Sequence, residues 1–177
     1  MITDRELAKD SLFQVASLMV LAARTAPKTR GIDHLYTAIL TEKEIRKLGE
    51  IMLKTGQEKD IAFFERDGHN LQSVEVMVLL GTRFEPLNLP ECGYCGFTNC
   101  DEKRRHPDIP CAFNTGDLGI ALGSAVSVAM DHRVDNRIMF TAGKAALQAG
   151  LPDKAVKIAY GIPLSAGSKN PFFDRKK

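Results

Sequence analysis

Cysteine is absent from most of this 177-residue sequence, because all four cysteines lie between positions 92 and 111. Disulfides that stabilise a small domain usually link distant segments, since closing a long loop removes the most entropy from the unfolded chain. Four clustered cysteines do not provide such a framework. With 44% hydrophobic residues, a chain of this length can bury a full core without covalent cross-links. We therefore expect a single domain, residues 1–177.

Long apolar runs, a signal-like N-terminus and an excess of one charge are also missing. The run LGIALGSAVSVAM, residues 118–130, is shorter than the roughly 20 residues that a membrane-spanning helix needs. The N-terminus MITDRELAKDSLF has neither the basic region nor the cleavage site of a secretory signal. A formal charge of +2 gives no electrostatic attraction to nucleic acid or a membrane. These absences predict a soluble, cytoplasmic protein without either kind of partner.

Helical patterns begin at two capping boxes, in which a threonine and a glutamate three residues later satisfy each other's hydrogen bonds. The two pairs are Thr3 with Glu6 and Thr41 with Glu44. The first precedes a long amphipathic run that ends before Pro27, and the second precedes a helix expected to stop at Gly56. Three further helices are predicted, a short one over DIAFFER (60–66) closed by Gly68, one apolar on nearly every side over residues 115–132 and one capped near Asp135.

Apolar segments rich in β-branched residues predict three strands. They are HLYTAIL at 34–40, SVEVMVLLG at 73–81 and AVKIAYGIPL at 155–164. We expect the first to be buried and the second to be a central strand. The alternation of helices and apolar strands predicts an α+β fold in three layers, with helices on both faces of a sheet.

The segment 82–114 differs from the rest, since it holds four prolines and all four cysteines and has little apolar periodicity. We interpret it as a cysteine-rich, site-bearing insertion. The cysteine spacing is C-x2-C-x4-C-x10-C, and Gly93 and Gly96 allow a tight turn between the first two thiols. Three thiolates within about ten residues and a fourth further along is an arrangement typical of iron–sulfur ligands. Four cysteines allow at most one such cluster.

Two other uses of the thiols stay open. Zinc usually takes two close pairs of cysteines, and the second pair is missing here, although His106 could replace a ligand. A redox C-x2-C motif would not need two more cysteines nearby. Two charged features, one within the segment and one just after it, also have two interpretations each. Lys103, Arg104 and Arg105 either influence an anionic cluster or form a solvated loop, and Asp117 either orients a ligand or complements a helix dipole.

The stretch CGYCGFTNCDEKRRHPDIPCAFNTGDLGIALGSAVSVA resembles the core of an uncharacterised prokaryotic family described as containing a ferredoxin domain. DHRVDNRIMF and KIAYGIPLSAGSKNPFFDRK fit the same family, so the resemblance covers most of the chain from Val74 onward. It implies a 4Fe-4S cluster, and the ligands that it implies are Cys92, Cys95, Cys100 and Cys111. It implies no particular reaction, and no residue is singled out as catalytic.

LAARTAPKTRGIDHLYTAILTEKEIRKL and KAALQAGLPDKAVKIAYGIP resemble two segments of flavin-dependent nitroreductases. This resemblance implies a three-layer α/β/α nitroreductase-like body, a homodimer and FMN as a cofactor. If FMN binds, we expect its phosphate to lie among four bases in or near these segments, and these bases are Arg24, Lys28, Arg30 and Lys169. The apolar helix at 118–130 also predicts a homodimer, because its faces need covering.

Three functions are consistent with the sequence. The first is an iron–sulfur redox protein, an oxidoreductase that passes electrons to flavin or substrate and works with a redox partner protein. The second is a non-enzymatic binding or scaffold protein in which zinc or an iron–sulfur cluster stabilises the insertion. The third is a thiol-based redox sensor, which needs a reactive, exposed cysteine.

Overall fold

The computed structural model describes Met1 and residues 3–173. None of the helices in this part of the chain combines the length and apolar character needed to cross a membrane. Two 3-10 turns accompany the regular elements, at Thr29–Gly31 and Leu71–Ser73. In chain order, the helices and strands are α1 (Asp4–Thr25), β1 (Leu35–Thr41), α2 (Glu42–Lys59), α3 (Ala62–Asn70), β2 (Val76–Arg83), α4 (Cys100–Arg104), α5 (Ala112–Asp131), β3 (Asp135–Asn136), α6 (Phe140–Gln148) and β4 (Val156–Ser165).

The strands form one antiparallel sheet in the order β1-β2-β4-β3. As predicted, β2 is central and residues 76–82 are buried. Successive side chains of a strand point to opposite faces, so β2 contributes to both halves of the core. β1 lies at the sheet edge and is mostly half-buried, so the prediction of a buried strand is wrong. An edge strand has a neighbouring strand on one side only, which leaves its other side less covered.

Helices cover both faces of the sheet. α1 and α5 pack together on the face that carries Val78 and Leu80 of β2. α2, α3 and α6 pack on the opposite face, around Met77 and Leu79. The chain therefore has the three-layer α/β/α arrangement that the alternation of elements predicts.

The sequence predicts the first residues of α1 and α2 correctly, but it does not predict the end of α2. Both capping boxes form, with Thr3 and Thr41 at the N-caps of α1 and α2. α2 continues past Gly56, so the predicted stop is wrong, and the helix ends where Asp60 takes a left-handed φ of 54°. Gly56 instead allows α3 to approach closely, because an added Cβ would lie 2.8 Å from the backbone nitrogen of Glu65.

The helix predicted to begin near Asp135 begins at Phe140. Asp135–Asn136 pair with the end of β4 instead. The carboxylate of Asp135 accepts a hydrogen bond from Asn170 Nδ2 at 2.9 Å. This acid therefore joins β3 to the loop after β4 and does not cap a helix.

One face of α5 is left uncovered by the rest of the single chain. Leu118, Ala121 and Ala125 are buried against α1 and the sheet. The opposite side, which we call the open face of α5, consists of Gly116, Gly119, Ile120, Gly123, Ser127 and Met130. An added Cβ on any of its three glycines would meet no other atom within 4 Å. The open face carries no charged side chain.

Candidate metal centre

The four cysteines lie in the long connection between β2 and α5, and all four are free thiols. Cys92, Cys95 and Cys100 are half-buried, whereas Cys111 is buried. Cys100 is the first residue of α4, and Cys111 is the N-cap residue of α5. The partial positive charge at the start of α5 favours an anionic group at Cys111.

Gly93 and Gly96 form the tight turn that the sequence predicts. Their φ angles are +61° and +83°, in the left-handed region that favours glycine. The Gly96 N–H donates a hydrogen bond to the Gly93 carbonyl at 2.9 Å. Cys95 therefore lies inside a hydrogen-bonded turn that begins directly after Cys92.

The start of α4 is fixed by two hydrogen bonds that involve Glu102. The Glu102 N–H donates to the Asn99 side chain at 2.9 Å, and the Thr98 N–H donates to the Glu102 carboxylate at 2.7 Å. The hydrogen bond from Thr98 holds the pKa of Glu102 below its ordinary value. These contacts fix the position of Cys100 at the first helical residue.

Two buried polar side chains hold the backbone at the end of β2. Lys103 Nζ donates to the Phe84 carbonyl. Asn114 Nδ2 donates to the carbonyls of Arg83, at 2.8 Å, and Glu85, at 2.7 Å. The lysine and the asparagine are only 2% and 1% exposed. We call these three consecutive carbonyls, of residues 83–85, the carbonyl anchor.

The carbonyl anchor fixes the positions of two cysteines relative to the end of β2. Lys103 follows Cys100 by three residues, and Asn114 follows Cys111 by three residues. Residues three apart are neighbours on a helix surface. Cys100 and Cys111 are therefore each held, through a buried neighbour, against residues 83–85.

Sequence reasoning missed Asn114 and left Lys103 undecided. Lys103 is buried, so a solvated loop is the wrong interpretation for this residue, whereas Arg104 and Arg105 are exposed. Asn114 was not predicted as a functional residue, because asparagine is common near the start of a helix. The shared spacing of three residues after Cys100 and after Cys111 was the only pattern that pointed to both side chains.

The four sulfurs do not meet at one point in this structure. Within residues 3–173, no group of three or more His, Cys, Asp or Glu side chains is placed to hold a metal ion. His106, the alternative ligand, is exposed, and its ring stacks on Phe97 with centroids 4.9 Å apart. Convergence of the four cysteines on a metal therefore stays a prediction.

Three of the four bases expected at a flavin phosphate lie together at the end of α1. Arg24 pairs with Asp33 at 3.0 Å. Lys28 Nζ donates to three backbone carbonyls at the end of α1, the shortest of these bonds being 2.6 Å. Arg30 lies in the 3-10 turn that follows, and Lys169 lies in the loop after β4. A phosphate site formed by these bases also stays a prediction.

The loop after α1 is joined both to the cysteine-rich segment and to α5. Arg30 Nη1 donates to the carbonyls of Leu87 and Asn88, at 2.8 and 3.0 Å. The Thr29 N–H and hydroxyl donate to the Asp117 carboxylate at 3.0 and 2.9 Å. Asp117 lies beyond the first turn of α5, so it binds this loop and does not complement the start of the helix dipole.

Two sequence comparisons assign the chain to a family. The profile of a family described as "Uncharacterized protein containing a ferredoxin domain" matches residues 108–175. An uncharacterized protein of the archaeon Archaeoglobus fulgidus is 33% identical over 184 aligned residues, covering 99% of this chain and 97% of that protein. The chain belongs to this ferredoxin-domain family. The matched residues include Cys111, while the other three cysteines precede them.

Solved structures with a similar fold include nitroreductases. A nitroreductase with bound FMN from Bacteroides fragilis has a TM-score of 0.61 at 10% identity, over 93% of this chain and 82% of its own. A putative nitroreductase in complex with FMN from Desulfovibrio desulfuricans has a TM-score of 0.57 at 13% identity, over 99% and 81%. The fold is nitroreductase-like, as the two sequence segments predict.

Proposed function

We propose that this ferredoxin-domain protein is an iron–sulfur redox protein that holds one 4Fe-4S cluster. Its ligands are Cys92, Cys95, Cys100 and Cys111. The observation that carries the proposal is the confinement of four free thiols to the connection between β2 and α5. Free thiols also suit a reducing compartment such as the cytoplasm.

The donor set has the chemistry that such a cluster requires. Four thiolates are the usual ligands of a 4Fe-4S cluster. The positive end of α5 at Cys111 and the buried ammonium of Lys103 near Cys100 both favour negative charge in this region. Three of the cysteines lie in a segment that contains one short helix. Bringing the sulfurs together therefore requires little change to the layers of the body.

When bound, the cluster would supply one-electron chemistry, with a flavin or a substrate of the nitroreductase-like body as the electron acceptor. The chain would then act as an oxidoreductase and receive or deliver electrons through a redox partner protein. The exposed bases Arg104 and Arg105 beside the cysteines offer such a partner an attractive surface.

The test is purification without oxygen, followed by the visible absorption spectrum and analysis of iron and acid-labile sulfide. We expect a brown protein with four irons and four sulfides per chain, whose colour bleaches on reduction. Cys100→Ser and Cys111→Ser should each lose most of the iron. His106→Gln is the control and should retain it, because it removes the one histidine of segment 82–114 without removing a thiol. Iron-free protein after anaerobic reconstitution would contradict the proposal.

Zinc is the alternative metal, in which case the chain would be a metal-stabilised binding or scaffold protein. It is favoured by the position of His106, which lies beside Phe97 within the cysteine-rich segment. A zinc protein would be colourless and would contain one zinc per chain. His106→Gln would then lower the zinc content, whereas it should leave the iron content of an iron–sulfur protein unchanged. This one variant therefore distinguishes zinc from an iron–sulfur cluster.

FMN is a second cofactor that we propose for the body, since two structures of this fold are FMN complexes by their descriptions. The phosphate would be held by Arg24, Lys28, Arg30 and Lys169. Lys28 and Arg30 would replace hydrogen bonds to backbone carbonyls with hydrogen bonds to the phosphate. Lys169→Ala should weaken FMN about tenfold to a hundredfold, the effect of losing one charged hydrogen bond. Fluorescence titration measures this, with exposed Lys47→Ala as the control. Absence of saturable binding to the unaltered protein would reject FMN.

We also propose that two chains form a homodimer through the open face of α5. Its three glycines allow another backbone to approach closely, and Ile120 and Met130 are 48% and 67% exposed. α1, which packs against α5, also exposes Leu18 and Leu21. Exposed apolar side chains on two adjoining helices are typical of a subunit interface.

A further inference from the structure

A cavity of about 250 Å³ lies where the end of β2 meets α4 and the first residues of β4. This volume is close to the lower end of the range for small-molecule sites. Four basic side chains and one carboxylate contribute to its walls. They are Arg83, Lys103, Arg104, Lys157 and Glu85. We call it the basic cavity.

The two arginines of the basic cavity already have acidic or amide partners. Arg83 pairs with Glu85 at 3.8 Å and with Asp153 at 3.4 Å. Arg104 pairs with Asp101 and donates to the Asn88 side chain. The single carboxylate of the wall, Glu85, is therefore already engaged by an arginine.

The two lysines are not balanced in this way. Lys103 is 2% exposed, and its ammonium donates to the Phe84 carbonyl. Lys157 is exposed at the rim of the cavity. Among the residues that the structure describes, no carboxylate lies within 4.0 Å of either ammonium. The Phe84 carbonyl accepts a hydrogen bond from one of the three N–H groups of Lys103. Because this carbonyl is neutral, it supplies no opposite charge.

A buried ammonium is rare unless an opposite charge accompanies it, because removing the charge from water costs free energy. Lys157 lines the same space without a carboxylate within 4.0 Å among the described residues, so the two ammonium groups repel each other as long as no anion is present. An anion in the cavity would remove both penalties at once. Ammonium groups bind compact oxyanions such as phosphate well, as point charges with several rotatable donors.

We infer that the basic cavity is a binding site for a small oxyanion, a phosphate or carboxylate group, held by Lys103 from within and by Lys157 from the rim. The group would be a free ion or the head of a small metabolite. This inference does not depend on the iron–sulfur proposal, since it rests on the cavity and its charges. If both hold, the anion site lies largely within the cysteine-rich segment, and Lys103 belongs to the same helix as Cys100.

The experiment is isothermal titration of the full chain with inorganic phosphate and, separately, with malonate, in a chloride buffer of low ionic strength. Low salt is needed because screening weakens interactions between charges. We expect saturable binding of at least one anion. Lys103→Met, which keeps the length of the side chain but removes its charge, should weaken that binding at least tenfold. Exposed Lys157→Gln should weaken it severalfold, and exposed Lys47→Met, in α2 and outside the lining of the cavity, should leave it unchanged.

The outcomes separate the possibilities. Binding of phosphate alone supports a phosphate-bearing ligand, and binding of malonate alone supports a carboxylate-bearing one. If Lys103→Met does not fold, as judged by circular dichroism, Lys157→Gln still tests the site because it changes only an exposed residue. Absence of saturable binding of both anions to the unaltered protein would overturn the inference. Equal affinity in the unaltered protein and in the Lys157→Gln and Lys103→Met variants would overturn it as well.

Discussion

Asp67 is a buried carboxylate that joins α3 to the start of α6, and it is 4% exposed. Its oxygens accept from the Thr141 hydroxyl at 2.8 Å and from Arg66 Nε at 2.9 Å, and Arg137 lies 3.5 Å away. Removing one partner of a buried charged network leaves the others without compensation. The network is therefore expected to contribute more to stability than the ion pairs on the surface.

We expect Asp67→Ala to lower the free energy of unfolding by about 2–3 kcal/mol, because it leaves the buried Thr141 hydroxyl and the Arg137 guanidinium without this acceptor. Urea denaturation measures the change. The matched control is Glu58→Ala, which breaks the exposed Lys54–Glu58 pair, 3.7 Å apart. That variant should change stability by less than about 1 kcal/mol. Equal effects of the two substitutions would contradict the role of the buried network.

A second residue-scale prediction concerns the capping carboxylate of α2. The Thr41 hydroxyl and backbone N–H donate to Glu44 at 2.6 and 3.1 Å, and the hydroxyl bond is the main reason why the pKa of Glu44 lies below its ordinary value. A carboxyl with a lowered pKa in the folded state adds stability above its unfolded pKa. That contribution is lost as the pH falls through the folded pKa.

The stability of the unaltered protein should therefore decline with acid more steeply than that of Glu44→Gln, below the ordinary glutamate pKa of about 4.3. Urea midpoints measured from neutral pH downward give both curves. Glu58→Gln, which removes a carboxylate of the same helix outside the capping box, is the control. Parallel curves for the unaltered protein and Glu44→Gln would show that the cap makes no acid-dependent contribution.

At the scale of elements, the carbonyl anchor joins the central strand to the helix that follows the cysteines. Asn114→Ala removes the donors to the carbonyls of Arg83 and Glu85, which are held at 2.8 and 2.7 Å. We expect a loss of about 1–3 kcal/mol in the free energy of unfolding, since a buried amide and its acceptors lose their bonds. Iron content after anaerobic reconstitution should also fall, because Cys111 loses the neighbour that fixes it to β2.

Asn136→Ala is the matched control for this variant. Asn136 is half-buried, and its amide donates to one carbonyl, that of Val134, at 3.1 Å. It lies in β3, away from the cysteine-rich segment in sequence. Its loss should cost less stability and leave the iron content unchanged. An Asn114→Ala protein that is destabilised but binds iron normally would restrict the carbonyl anchor to a folding role.

Elements whose signals are local could be predicted from the sequence, and those fixed by distant partners could not. Thr41 and Glu44 lie within one helical turn, so their capping box is readable directly. Asp135 has the chemistry of a cap, but pairing of its strand with β4 decides its conformation. The prediction that α2 ends at Gly56 is wrong for a related reason. Gly56 serves the approach of α3 and does not terminate the helix.

At the scale of the whole molecule, the sequence predicted the layers and the cysteine-rich segment but not the surroundings of the thiols. The burial of Lys103 and Asn114 depends on the end of β2, which is adjacent to them only after folding. Charge alone does not distinguish that lysine from the exposed Arg104 and Arg105 that follow it. The basic cavity could not be predicted from the sequence either, because its walls come from β2, α4 and the start of β4.

The last prediction concerns assembly through the open face of α5. Gly123→Leu places a large side chain where an added Cβ meets no atom of the same chain within 4 Å, so the monomer should fold normally. If a second chain packs closely against Gly123, the new side chain should prevent that approach and shift the protein to monomers. Lys47→Leu adds the same side chain at an exposed position of α2, in the opposite helical layer, and should leave the dimer intact. Sedimentation velocity measures all three proteins at micromolar concentration. An unaltered protein that sediments as a monomer would reject the dimer, and a dimeric Gly123→Leu would require the interface to lie elsewhere, with the exposed leucines of α1 as the next surface to alter.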